Sequence, residues 1–275
     1  MIRLTRTRTT TAIPKEFRGA GRKASERALL LLRSTGLAPD ASVWKKAKKQ
    51  LRKESGGKCA YCEGKASHVA HGDVEHFRPK TVYWWLAYCY DNYTYACQIC
   101  NQSFKGSNFP VGGPSMVAPQ LAVNPTTAQI AALAGKLGPD PLNSAAVTAF
   151  EQLLAAEQPG LPDPYLMDPE PLFMWFADDV LGEVEIRARD AAPAAQIAMA
   201  AVDEFLGLNR EELRKWRYKT FEVARAFALI LKVIPPVNAQ VRDIAEKQLK
   251  RMMAPSAEFA AMVRYLVRDV EGLAL

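Results

Sequence analysis

Two CxxC pairs, Cys59-Ala-Tyr-Cys62 and Cys97-Gln-Ile-Cys100, are the residues of this chain whose type and spacing most directly imply chemistry. Four thiolates close a tetrahedron around Zn²⁺ at Zn–S of about 2.3 Å and leave no position open for a substrate. Such a site holds distant segments together and does no catalysis, although far more chain separates these pairs than an ordinary zinc ribbon inserts. Between the pairs and just after them lie Asp73, Glu75, His76, Asn92 and Asn101. Carboxylate, imidazole and amide groups at close quarters suit metal-assisted hydrolysis. The fifth cysteine, Cys89, has no partner in this pattern and reads as a small buried hydrophobe.

The local elements follow from the same stretch. Val74 alternates with Asp73 and Glu75 as in a short strand, which Pro79 stops because it cannot extend a ladder. A second strand is expected over Tyr93 to Ala96, after the polar Asp91-Asn92-Tyr93 step. From Ile99 the sequence reads as one or two helical turns closed by Gly106, with Asn101 and Lys105 on one face. Strand, loop, strand and helix, with zinc at both ends, predict a compact ββα unit. The cluster Tyr83, Trp84, Trp85, Tyr88 and Tyr90 could stack on unpaired bases, but Leu86 and Ala87 beside it favour a hydrophobic floor under that unit. His68 and His71 fall in a polar loop and are expected at the surface.

The order Glu75-His76, Asn92, Asn101, framed by the CxxC pairs, resembles the zinc-containing HNH endonucleases, whose fold is the ββα-metal motif. More narrowly, KCAYCE, VEHFRPK, YWWLAYCYDNYTYAC and CNQSFKGSNFP look like the HNH subunit of the Septu anti-phage system and its retron-associated relatives. LMDPEP (166–171) and FLGLNREELRKWR (205–217) also resemble pieces of that family, so the likeness is dense over 58–110 and sparse elsewhere.

What the resemblance implies has a physical reason at each position. His76 would be the general base, since an imidazole with a pKa near ~6.5 takes a proton from water at neutral pH. Glu75 and Asn101 would hold Mg²⁺ or Mn²⁺ through oxygen, with Asp73 a rival acid ligand on the same strand face. Asn92 would brace the loop carrying His76 by hydrogen bonds to backbone. Lys105, Arg78 and Lys80 would meet phosphate charge. The sequence departs from the commonest pattern twice, with Asn101 where many relatives have histidine and Glu75 where many have aspartate. An oxygen ligand at the first position suits Mg²⁺ better than a nitrogen one.

The rest of the chain must position these groups. Its 275 residues, half of them apolar, suffice for one large domain or two small ones, and a formal charge of +7 favours polyanionic partners. The start, MIRLTRTRTTTAIPKE, lacks the continuous apolar core expected of a secretory signal and weakly resembles a transit peptide in its Arg- and Thr-rich, acid-poor composition; it is expected to be a disordered or docking arm. Cysteines in CxxC pairs without an export signal point to a reducing cytoplasm, and no apolar run could span a bilayer. Helices are expected over Lys15–Gly36 and after Asp40-Ser42. The second carries Lys45, Lys46, Lys48, Lys49, Arg52 and Lys53, either a solvated face or a phosphate-tracking surface.

Beyond Pro110 come a Gly/Pro-rich loop, short helices over Thr127–Gly135 and Asn143–Glu157, and a hairpin of Phe173–Phe176 with Val184–Ile186. From Asp190 the pattern is helical. One stripe runs through Ile197, Val202, Phe205 and Leu206, and a next helix, capped by Asn209 with Glu212, through Trp216, Phe221, Val223, Phe227 and Leu231. Pro235-Pro236 breaks it before two more helices.

The expected fold is therefore α+β and mainly α: a basic N-terminal arm with helices (1–57), a zinc-stapled ββα-metal nuclease unit (58–115) and a mostly helical scaffold or partner-docking region (116–275). The expected function is metal-dependent cleavage of phosphodiester bonds, in DNA by preference. RNA cleavage, or a zinc-bearing binding protein without activity, are the rival readings. No GxxxxGK[ST] loop occurs, so no Walker-type energy source is encoded, and the resemblance implies an ATPase partner on another chain.

Overall fold

The computed structural model describes residues 1–65 and 72–275, so His68 and His71 lie outside the described residues. The fold is mixed α/β and mainly helical, with two antiparallel two-stranded sheets among the described residues. Contacts divide the chain into two units, Thr5–Glu54 with His71–Leu161, and Met1–Leu4 with Ser55–Ala70 and Pro162–Leu275. Both units are discontinuous in sequence, whereas the expected segments 1–57, 58–115 and 116–275 run along the chain. No described helix is long and apolar enough to cross a membrane.

In the first of these units, helix α1 (Gly19–Ser34) turns Leu29 and Leu30 inward. There they meet Tyr83, Trp85, Leu86, Tyr88 and Cys89, with Ile130 of α5 (Thr127–Leu133) closing the core. The aromatic cluster is thus a floor, and burial pushes the Cys89 thiol up to about 12, as for an inert buried hydrophobe. Asp40 caps α2 (Ala41–Lys45) by accepting from the backbone N–H of Ser42, and α3 (Lys48–Glu54) follows, buried through Leu51. Both pack on a hairpin of β1 (Asp73–His76) and β2 (Tyr93–Ala96), paired Asp73 to Ala96 through His76 to Tyr93.

The helix after β2, α4 (Ile99–Lys105), is wound wider than an α-helix, with the Gly106 N–H donating to the Asn101 carbonyl at 2.8 Å. Gly106 stops it with a φ of +49°, a conformation glycine adopts without strain. Helix α6 (Ser144–Ala156), capped by Asn143, ends the unit.

The N-terminal arm is packed rather than disordered. Ile13 is buried, and Arg8 pairs with Asp91 at 2.7 Å while Arg6 donates to the Tyr93 carbonyl. Its arginines look like a solvated tail in sequence because their acidic partner lies more than eighty positions away.

In the second unit, β3 (Phe173–Asp178) and β4 (Glu183–Ala188) form the expected hairpin. Helices α7 (Pro193–Leu206), α8 (Glu211–Val233), α9 (Ala239–Met252) and α10 (Ala260–Tyr265) follow, with α8 packed on β4 and α9. The expected stripes hold in part: Val202 and Leu206 of α7 and Phe221 and Leu231 of α8 are buried. Ala195, Ala198 and Ala201 of α7 and Ala224 and Ala228 of α8 are in the core, while Ile197 and Val223 are exposed. Small residues allow close helix approach, so alanine shares the buried face with these larger side chains. Asn209 does not cap α8 either, because Arg210 holds that position. Its amide instead accepts from Ile186 N–H and donates to Ile186 C=O, both at 2.9 Å.

Asn209→Ala therefore leaves two backbone groups of β4 without partners. It should destabilise the protein by about 1–3 kcal/mol, read as a lower urea midpoint at unchanged slope.

Candidate active site

The structure brings the two CxxC pairs together: the Sγ atoms of Cys59, Cys62, Cys97 and Cys100 lie within 4.8 Å of one another and all four residues are buried. Tetrahedral Zn–S bonds of about 2.3 Å set the sulfurs roughly 3.8 Å apart, so this group fits Zn²⁺. The turn around each pair is shaped for it. Cys100 N–H donates to Cys97 Sγ at 3.4 Å. Glu63, at φ +62°, turns its own N–H back to the Cys59 carbonyl at 3.0 Å. Burial alone would raise the Glu63 carboxyl, but the Met1 amino group and Lys58 hold it down at about 2.

A second feature is a cleft of about 590 Å³. Asp73, Glu75 and His76 of β1 form one side, Asn101 and Gln102 of α4 another, and Trp44, Lys45 and Lys48 of the α2–α3 segment a third, with Pro79 and Lys80 at the edge.

His76 is caged. Its ring meets Trp44 and Tyr93 edge to face, each at 5.1 Å, and its Nε2 lies 3.0 Å from the Ala87 carbonyl. A carbonyl only accepts, so Nε2 carries the hydrogen and the lone pair of the neutral ring is on Nδ1. The Tyr93 hydroxyl donates to the same carbonyl at 2.6 Å and fixes that acceptor. Burial drives the imidazole pKa down to about 3 against the Ala87 bond, with Lys80 and Lys105 adding to the fall, so the ring is neutral at pH 7.

Glu75 is buried beside it, with Lys105 Nζ at 2.7 Å from Oε1, an ion pair without the alignment of a hydrogen bond. Burial raises the Glu75 carboxyl, and Lys105 and Lys80 oppose that rise. Asp73 lines the same cleft and accepts from Gln102 at 2.7 Å. Asn92 is buried beneath: its Oδ1 accepts from Arg78 N–H at 2.8 Å and its Nδ2 donates to Arg78 C=O at 2.9 Å, pinning the chain just after His76.

Two expected phosphate contacts lie elsewhere. Arg78 is 1% exposed, with its guanidinium on Glu157 at 2.6 Å and on the Leu154 carbonyl, so it is a core cation. Glu157 also accepts from the Tyr83 hydroxyl and from Met116 N–H. Lys105 is fully buried and divides its ammonium between Glu75 and the His76 carbonyl. Of the three expected, Lys80 stands exposed on the cleft, its Nζ 5.6 Å from the Trp44 ring centre.

Sequence reading did not assign Trp44, Gln102 or the Ala87 carbonyl to the site. Lys45 and Lys48 were visible only as members of a lysine run. A backbone acceptor carries no sequence signal at all.

Asp73, Glu75 and Asn101 are oxygen donors of the kind a hard cation takes, and they line one cleft, with Glu75 Oε1 held by the Lys105 ammonium at 2.7 Å. They line one cleft without drawing as close together as the cysteines; among the described residues the cysteines are the group that does.

Fold and site thus define a mainly helical α/β protein with four cysteines placed so that they could hold a metal ion. Over 81 residues, a quarter of this chain, its sequence is 36% identical to the Septu protein PtuB of Bacillus mycoides (strain KBAB4), and the match covers 28% of that protein. The chain is Septu-related to that extent. No protein-family model matches it, and no solved structure does.

A closed four-thiolate site adds its binding energy to folding. Cys100→Ser should lower the melting temperature by more than about 5 °C and release zinc in a chelator-dye assay; melting equal to wild type would refute a structural role. Glu157→Gln, which leaves the Arg78 charge buried without its carboxylate, should cost about 3–5 kcal/mol by chemical denaturation.

Proposed function

We propose that this protein is a metal-dependent endonuclease of the HNH type, a nuclease component of a Septu-like anti-phage defence system that cleaves DNA. The observation that carries this reading is the cleft. A neutral, tautomer-fixed histidine, two carboxylates and an asparagine share one concave surface with exposed lysines. In this reading β1, β2 and α4 are the ββα-metal unit, Asn92 is its bracing asparagine and the cysteines are its zinc staple.

The chain's own groups have separate tasks. His76 Nδ1 takes the proton from the attacking water, while the Ala87 carbonyl, Trp44 and Tyr93 keep the ring from rotating. The substrate phosphate offsets the positive charge that the ring then acquires, which a buried imidazole cannot hold by itself. Glu75, Asn101 and Asp73 would hold Mg²⁺ or Mn²⁺, which when bound supplies Lewis-acid polarisation of the phosphoryl oxygen. Lys45, Lys48 and Lys80 attract the backbone without reading its sequence. The partial match to PtuB supports the defence role; an ATPase partner on a separate chain is part of the same proposal.

His76→Ala should reduce cleavage by at least about 10²-fold with zinc content close to wild type and a cooperative circular-dichroism melt; Glu75→Gln should reduce it as much with zinc retained, and should also lower the melt, because the Lys105 ammonium is left buried without its carboxylate. DNA and RNA substrates are to be assayed side by side with Mg²⁺ and with Mn²⁺. Cleavage of RNA alone would move the substrate, and full activity of His76→Ala with intact fold would end the nuclease reading.

A further inference from the structure

We propose that the cleft binds its divalent cation together with phosphate rather than before it, with Lys105 as the resident counter-ion of Glu75. The inference rests on the nuclease reading and adds to it a rule of assembly: free Mg²⁺ does not arm the site, and bound nucleic acid does.

Four observations lead there. Lys105 is wholly buried, with its Nζ 2.7 Å from Glu75 Oε1 and 3.2 Å from the His76 carbonyl. The Glu75 charge is therefore offset before any ion arrives, and an entering dication meets a like charge a few ångströms away. Asp73, the other carboxylate, accepts from Gln102 Nε2 through one of its oxygens. The acids and His76 do not converge as the cysteines do, so protein ligands alone leave the coordination shell incomplete.

Finally, Lys45, Lys48 and Lys80 line the same cleft. With Lys105 they set four lysines against two carboxylates and a neutral imidazole. The field inside such a cleft concentrates anions before cations.

Lys105 cannot easily move away, because α4 carries it and Asn101 on the same short helix, closed by the Gly106 N–H on the Asn101 carbonyl. A phosphate seated against the lysines would reverse the local balance and supply the missing oxygen ligands. The coupling is reciprocal: the factor by which phosphate tightens the cation is the factor by which the cation tightens phosphate.

The test uses the zinc-loaded full chain with His76→Ala, so that nucleic acid stays intact. Mn²⁺ binding is measured by electron paramagnetic resonance alone, with a short DNA duplex, and with RNA of the same sequence. Mn²⁺ should bind at least about tenfold more tightly with nucleic acid, and adding Glu75→Gln should abolish that binding. Adding Lys105→Met should strengthen nucleic-acid-free Mn²⁺ binding and shrink the coupling. Because Lys105 lies in the core, the double variant Lys45→Gln/Lys48→Gln provides an independent check at the rim. It should weaken DNA binding, flatten its salt dependence and also shrink the coupling.

Glu75-dependent Mn²⁺ binding of equal strength with and without nucleic acid would overturn the proposal while leaving the nuclease reading intact. Coupling seen with RNA but not DNA upholds it and changes the substrate. Mn²⁺ binding that ignores Glu75→Gln, or that is absent in every arm, would sink the metal-site reading itself and the proposal with it.

Discussion

Burying a carboxylate and an imidazole next to each other on a four-residue strand is the constraint on which the rest of this site depends. Neither group survives in a core without partners, because an unmatched buried charge or ring N–H costs several kcal/mol. Glu75 is met by Lys105 from α4, and His76 by the Ala87 carbonyl from the loop between the strands. Those two contacts decide where the helix and the loop must lie. A further tier holds the partners themselves: Asn92 closes both backbone groups of Arg78, and Glu157 takes the Arg78 side chain. The hairpin is too short to be stable alone, and its register is kept by polar groups as much as by hydrophobic burial.

Much of that arrangement was legible in the sequence, because it depends on local rules. The strand limits follow from Pro79 and the polar step before Tyr93, the helix end from Gly106, and the cysteine group from spacing and residue type. What was not legible is which charges would be consumed inside the protein. Lys105 and Arg78 look like phosphate ligands because Lys and Arg are mostly exposed. Their acidic partners, thirty and seventy-nine positions away, are joined to them only by tertiary structure.

The helical scaffold shows the same limit in apolar form. Periodicity picked out Val202, Leu206, Phe221 and Leu231, which are buried, but it missed the alanines that share their face and included Ile197 and Val223, which stay outside. A helix with apolar residues on two sides does not state in sequence which side is buried; the neighbour's shape decides it. Asn209 misled for a related reason. Its position before an acidic first turn fits a cap, yet the backbone of Ile186 in β4 offered it two hydrogen bonds, and a cap offers one.

The same bookkeeping changes what the net charge means. Ion pairs such as Arg78 with Glu157, Lys105 with Glu75 and Lys58 with Glu63 are each neutral, so they add nothing to the formal charge of +7. The excess therefore resides on groups outside such pairs, and Lys45, Lys48 and Lys80 place part of it along the cleft. A chain of the same composition with its lysines scattered would carry the same charge and no directed field. Placement relative to a neutral histidine and a pre-paired glutamate, rather than basicity as such, makes this cleft a fit for a phosphodiester.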